Sequence, residues 1–154
     1  MPTLPDVRDV DRAILNVLTS DAILTALMPG GVHWDVAPAG LTAFIVVTSQ
    51  DFEASYPLTR RDVGTIDGGM ERIGYLIKAV KRTTNADAPL DAAARIHDLL
   101  HMQALDLSGT GYELMTIHRT RRVRYSEFDQ STAEWQHIGG VYDVIVSSEF
   151  PITQ

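Results

Sequence analysis

At 154 residues, with 45% apolar and 21% charged side chains, the chain has the composition of one ordinary globular domain, long enough to bury about two thirds of the surface its unfolded form exposes. It contains no cysteine, which excludes disulfides, thiolate nucleophiles and cysteine-ligated zinc, so any metal would have to use His, Asp or Glu. A net charge of −7 argues against a dedicated binder of DNA or anionic membranes.

The start, MPTLPDVRDVDR, lacks the basic and then apolar run of a signal peptide, so the chain reads as cytosolic at synthesis. After this leader Asp6 is placed to cap a helix whose Val7, Val10, Ile14, Val17 and Leu18 fall on one face. Thr19-Ser20-Asp21 reads as a break and a new cap, after which Ile23, Leu24 and Leu27 restart the apolar stripe as a second helical piece or the far half of one bent helix. Pro29-Gly30-Gly31 ends it, because proline removes a backbone donor and glycine readily takes the left-handed cap conformation.

Residues 32–36 form a short strand bearing His33 and Trp34, closed by Ala37-Pro38-Ala39-Gly40, and the apolar run 44–48 is the central strand. No period holds from 50 to 69, so this stretch is expected to be an extended loop. Its Phe52, Tyr56 and Ile66 suit a contact surface, and Arg60 and Arg61 join them as contact candidates. Residues 71–81 make the next strand, with Ile73, Tyr75, Ile77 and Ala79 on one face and Leu76 and Val80 opposite.

Asp87 is a candidate N-cap and Pro89 fits a first turn, so a helix is expected to about residue 103, packing Ala92, Ala93, Ile96, Leu99 and Leu100 on the sheet. Gly109 and Gly111 mark a break, followed by strands over 113–125 and 140–149 and, between them, a polar connection holding Trp135. The expected fold is a single α+β domain ordered α, β, β, β, α, β, β. Its sheet is mostly antiparallel, of four to five strands, with two helices packed on one face and a long β–β loop.

The string His97-Asp98-Leu99-Leu100-His101 is the most enzyme-like, since histidines four apart on a helix can reach one metal ion. Asp replaces the glutamate of the zinc-protease motif and no third ligand follows on a nearby helix, so half-exposed rim histidines are the preferred account of the pair. His118-Arg119-Thr120-Arg121-Arg122-Val123-Arg124-Tyr125 concentrates cations on one strand. Regular alternation sends Arg119 and Arg121 to one face and His118, Arg122 and Arg124 to the other, which splits any nucleic-acid stripe. Solvated pairing with carboxylates and subunit contacts are the competing readings. The glycines of 62–69 match neither a phosphate loop nor a calcium loop, and Trp34, Phe44 and Tyr75 sit in strand patterns as core.

The order of signals is nonetheless recognisable: LTSDAILTALMPGG, VHWDVAPAG and AFIVVTS, then ERIGYLIKAVKR, the helix DAAARIHDLLH, and finally RRVRYSEFD with GGVYDVIVSS. Over residues 10–148 this resembles the tail completion and tail terminator (head–tail joining) proteins of long-tailed, siphovirus-like phages, prophages and gene transfer agents. The resemblance implies a virion structural protein at the neck, assembled in the host cytoplasm. It implies a ring, usually a hexamer, on the head-proximal end of the tail tube, which halts tube polymerisation and docks the head connector or stopper. Its partners would be copies of itself, the major tail tube protein, the connector, and genomic DNA passing through the lumen without sequence-specific binding; no membrane, cofactor, metal or catalytic residue is implied. The contact candidates on this reading are Phe52, Tyr56, Arg60, Arg61, Ile66, Arg119, Arg121, Arg122 and Arg124. The leader 1–6 and the tail 150–154 read as individual extensions. Competing readings are a head-side adaptor or stopper of the neck, a metal hydrolase using His97 and His101, and a nucleic-acid-binding module.

Overall fold

The computed structural model describes residues 6–56 and 70–148. Helices α1 (Val7–Thr19) and α2 (Ala22–Leu27) precede strands β1 (Val32–Trp34), β2 (Ala43–Tyr56) and β3 (Met70–Arg82), and α3 (Asp87–Leu100) leads into β4 (Tyr112–Phe128) and β5 (Glu134–Ser148). The fold is α+β, with one mixed, mostly antiparallel sheet in the order β1-β2-β3-β5-β4.

The first helical stretch divides in two because each half has its own cap. Asp6 accepts from the Arg8 amide at 2.9 Å, and Asp21 accepts from the Leu24 amide at 2.9 Å. Asp21 also receives the Arg95 guanidinium of α3 at 2.6 Å, which ties the second cap to the third helix. α3 starts one residue earlier than its sequence suggests: Ala86 is the N-cap and Asp87 lies in the first turn, where its charge suits the helix dipole. The helix ends at Leu100 rather than near 103, where Met102 turns its amide to the Ile117 carbonyl at 2.8 Å.

All three helices lie over one face of the sheet. Val10, Ile14 and Leu18 of α1, Leu24 of α2, and Ala92, Ile96 and Leu100 of α3 share one core with Ile45, Val47, Ile73, Tyr75, Ile77, Ile117, Tyr142 and Val144. The Tyr75 hydroxyl donates to Asp11 of α1 at 2.6 Å, which satisfies the polar end of a fully buried ring.

Two strand boundaries and one strand pairing differ from the sequence expectation, each for a local reason. β2 continues to Tyr56, so residues 50–56 are strand and not loop; register shifts at Ser49/Asp51 and Glu53/Tyr56 scramble the alternation that would have revealed it. β5 begins at Glu134 and contains Trp135, because the chain reverses within Asp129–Ala133, where the Asp129 carboxylate accepts from the Ser131 and Ala133 amides and from the Trp135 indole. β1 and β2 run parallel rather than as a hairpin. A three-residue β1 advances only about 10 Å, so the short connection with Asp35 at φ 60° and Gly40 at φ 91° suffices to bring the chain back alongside.

Candidate interaction surface

β4 is an edge strand, and its cations are arranged by a bulge. The β4–β5 register runs Ile117↔Val144, His118↔Asp143 and Arg119↔Tyr142, then resumes at Arg121↔Val141 and Arg122↔Gly140, leaving Thr120 as the extra residue. Paired residues of an antiparallel ladder share a face. Arg119, Arg122 and Arg124 therefore lie on the helix side with Tyr142, Gly140 and Ile138. His118, Arg121, Val123 and Tyr125 lie on the other side. The split expected from regular alternation is thus corrected: the bulge reverses the phase after Arg119, and three of the four arginines gather on one face.

Those three border a cavity of about 350 Å³ between β4 and α3, whose other walls are Leu90, Ala93, Ala94, His97 and Asp98 of the helix, with Ile138. Arg122 and Arg124 are exposed; Arg119 is half-buried, its stem packed over Gly140. None of the four arginines forms an ion pair with another described residue. Burial pushes the Tyr142 hydroxyl up to about 12, although the neighbouring Arg119 pulls the other way.

His97 and His101 stack face to face, ring centres 4.4 Å apart and planes 21° from parallel. Imidazole lone pairs lie in the ring plane, so nearly parallel rings do not converge on one ion. His101 Nδ1 already accepts the Arg119 amide at 3.1 Å. Burial, with Arg119 close by, lowers the His97 pKa, and its Nδ1 has no hydrogen-bond partner among the described residues. No group of three or more His, Asp or Glu side chains is positioned to hold a metal among the described residues. The His101–Arg119 hydrogen bond ties the end of α3 to β4.

On the opposite face Tyr125 stacks on His137 at 4.5 Å, and Lys78 donates to the Tyr125 hydroxyl at 2.7 Å. Glu127 approaches His137 Nε2 at 3.1 Å, but burial and Lys78 outweigh it and lower the His137 pKa. Phe44 meets Trp135 at 6.3 Å and His33 at 6.4 Å, so these aromatics form a cross-strand row on the outer face. Trp34 and Tyr75 pack edge to face at 6.2 Å on the helix side.

Phe52 and Tyr56 stand in β2 opposite Ile73 and Met70, with their side chains outside what is described. Arg60, Arg61 and Ile66 lie outside the described residues. The structure brings together Arg119, Arg122 and Arg124 and leaves Arg121 on the other face. The sequence reading missed the acidic counterpart beside them: Asp87, Asp91 and Asp98, all exposed on α3. Spacings of four and seven put these three on one helical face, a signal that was available.

No helix among the described residues is long and apolar enough to cross a membrane. No protein-family model and no curated protein matches the sequence. Among solved structures the chain is similar to one in the virion of a native gene transfer agent particle, with TM-score 0.66 and 19% identity over 90% of this chain and 95% of that one. It is also similar to a chain in the sheath/tube terminator structure of an extracellular contractile injection system in its extended state, with TM-score 0.51 and 11% identity. That alignment takes in 99% of this chain but spans only 62% of the injection-system chain. The likeness is one of fold.

Proposed function

We propose that the protein is a tail terminator or tail completion subunit: a structural virion protein forming a ring, of six copies on the usual pattern, at the head-proximal end of a tail tube. The observation that carries this reading is the shared fold over nearly the full length of both chains with a gene transfer agent virion chain. The likeness to a chain of a sheath/tube terminator structure favours the tube end over a head-side adaptor. The ring stops tube growth and offers its other surface to the head connector. Its work is done by contacts and not by catalysis, and Arg119, Arg121, Arg122 and Arg124, with Phe52, Tyr56, Arg60, Arg61 and Ile66, are its contact residues. A surplus of carboxylates suits a lumen through which DNA must slide without sticking. A metal hydrolase would need converging histidines, and the stacked His97–His101 pair does not provide them.

The test is mass determination in solution with negative-stain imaging, alone and with tail tubes. Rings capping one end of each tube are expected. Purified protein that leaves tube ends bare and growing would overturn the assignment.

A further inference from the structure

Beside the arginine row of β4 runs an acidic row on α3, and neither is neutralised by an ion pair among the described residues. Asp87, Asp91 and Asp98 are exposed and form no ion pair with a described residue, and the same holds for Arg119, Arg122 and Arg124. Asp98 borders the same cavity as the three arginines without closing an ion pair across it. The floor between the rows is mainly apolar, made by Leu90, Ala93, Ala94 and Ile138 with His97 as its one polar side chain among the described residues, and Leu90 is 38% exposed.

The two rows match in length. From Asp87 to Asp98 the helix rises about 16 Å at ~1.5 Å per residue. From Arg119 to Arg124, with one residue spent in the bulge, β4 extends about 14–17 Å at ~3.4 Å per residue. One row can therefore be laid along the other, charge against charge, over an apolar floor that both sides would desolvate.

We infer that the α3–β4 strip is a surface by which a second copy of this chain docks, the aspartate row of one copy entering the arginine row of the next. This deepens the ring reading above and rests on it for closure. The strip carries both charge signs, so head-to-tail docking uses the acidic row toward one neighbour and the arginine row toward the other. That is the heterologous contact a closed ring requires. Nucleic acid is a poorer occupant, because a phosphate backbone would meet Asp98 and the α3 carboxylates alongside the guanidinium groups and gain nothing from the apolar floor.

Charge reversal in halves tests the inference. Asp87→Lys with Asp91→Lys, and separately Arg122→Glu with Arg124→Glu, replace attraction by like-charge contact. Each is expected to weaken self-association about 100-fold or more by sedimentation, free and on tube ends. Circular dichroism and melting temperature establish that each variant is folded; all four positions are exposed. The variant carrying all four reversals is again complementary to itself and is expected to regain assembly. Half-reversed variants that assemble like the unmodified chain overturn the inference, as does a four-fold variant that stays dispersed although folded. Loss of DNA binding with assembly intact in Arg122→Glu/Arg124→Glu would overturn it in favour of a nucleic-acid surface. A chain that remains monomeric at millimolar concentration and on tube ends also overturns it. Strip-dependent assembly that ignores tube ends supports the strip and overturns the terminator reading instead.

Discussion

Gly139, in the middle of β5, is where the sheet tolerates least change. A Cβ at this position would stand 2.0 Å from the Ile77 carbonyl oxygen and 2.6 Å from the Lys78 Cα. Both are backbone atoms of the neighbouring β3, in register through Lys78↔Gly139, so no side-chain rotation relieves the clash. An ordinary carbon–oxygen contact is about 3.3–3.6 Å, so Gly139→Ala requires β3 and β5 to part by more than about 1 Å. That lengthens the adjacent ladder hydrogen bonds past their useful range. Two such bonds at about 1 kcal/mol each, plus overpacking strain of about 2–3 kcal/mol, are offset by about 0.5–1 kcal/mol from the stiffer unfolded chain. The net cost is about 4 kcal/mol, which for a domain of this size lowers Tm by about 8–16 °C. Gly109→Ala is the control: its φ of +76° strains an alanine, but nothing lies within 4 Å, so about 1 kcal/mol is expected. Differential scanning calorimetry of the two variants reads the difference. A Gly139→Ala protein that melts no lower than Gly109→Ala would refute the close-approach argument.

Asp21→Ala removes an N-cap, about 1 kcal/mol, and also releases Arg95, whereas Asp21→Asn keeps the cap oxygen; urea denaturation should rank Ala well below Asn, and equal midpoints would refute the dual role. Arg95 holds the Asp21 carboxyl below its ordinary value of 3.8, so its contribution is present above that pH and fades as pH falls below it. Asp11 behaves oppositely. Burial raises its pKa despite the Tyr75 hydrogen bond, so stability falls as pH rises through the window above 3.8; Asp11→Asn should gain stability at pH 7 and lose that gain in acid, which denaturation at two pH values checks. Tyr75→Phe leaves that carboxylate without its donor and should cost about 1–3 kcal/mol in the same assay. His97 and His137 both have lowered pKa values, so the unfolded chain takes up protons first and stability should drop as pH falls below 6.5; His97→Gln/His137→Gln should flatten that slope, and an unchanged slope would refute it.

Where one periodicity ran unbroken, the sequence was legible. Val10, Ile14 and Leu18 in α1, Ile73 to Ala79 in β3, and Ile96 with Leu100 in α3 all reach the core as their spacing implies. The α+β class, the antiparallel β2–β3 and β4–β5 pairs, and the two caps at Asp6 and Asp21 follow from local rules that no tertiary contact overrode. Legibility failed wherever the backbone departed from regular geometry. The register shifts of β2 hid seven residues of strand. Gly140, which read as the start of a strand, and Gly139, which read as the end of the connection before it, instead lie within one, where the approach of β3 and the Arg119 stem leaves no room for a side chain.

The bulge at Thr120 has the largest functional consequence. A period of two is a strict rule only while every residue is paired, and one unpaired residue inverts every face assignment beyond it. Read with regular alternation, the arginines of β4 divide and carry no collective charge. Read with the bulge, Arg119, Arg122 and Arg124 stand together beside α3, and the aspartates of that helix acquire a complement. A bulge on an edge strand also spoils a flat template for indiscriminate strand pairing. The same irregularity that conceals the surface from the sequence therefore favours association through side-chain charge over association through the open β4 edge. Deleting Thr120 removes the unpaired residue but leaves Arg121↔Val141 and Arg122↔Gly140 in register, so Arg122 and Arg124 keep the helix face; the flatter strand should pair more readily through its edge, while the charge contact and the core of Ile117, Tyr142 and Val144 persist. Sedimentation together with near-ultraviolet circular dichroism separates the two effects. A folded deletion variant that stays dispersed would show that the bulge itself, and not the face on which it leaves the arginines, is needed for assembly, and would sink the charge contact.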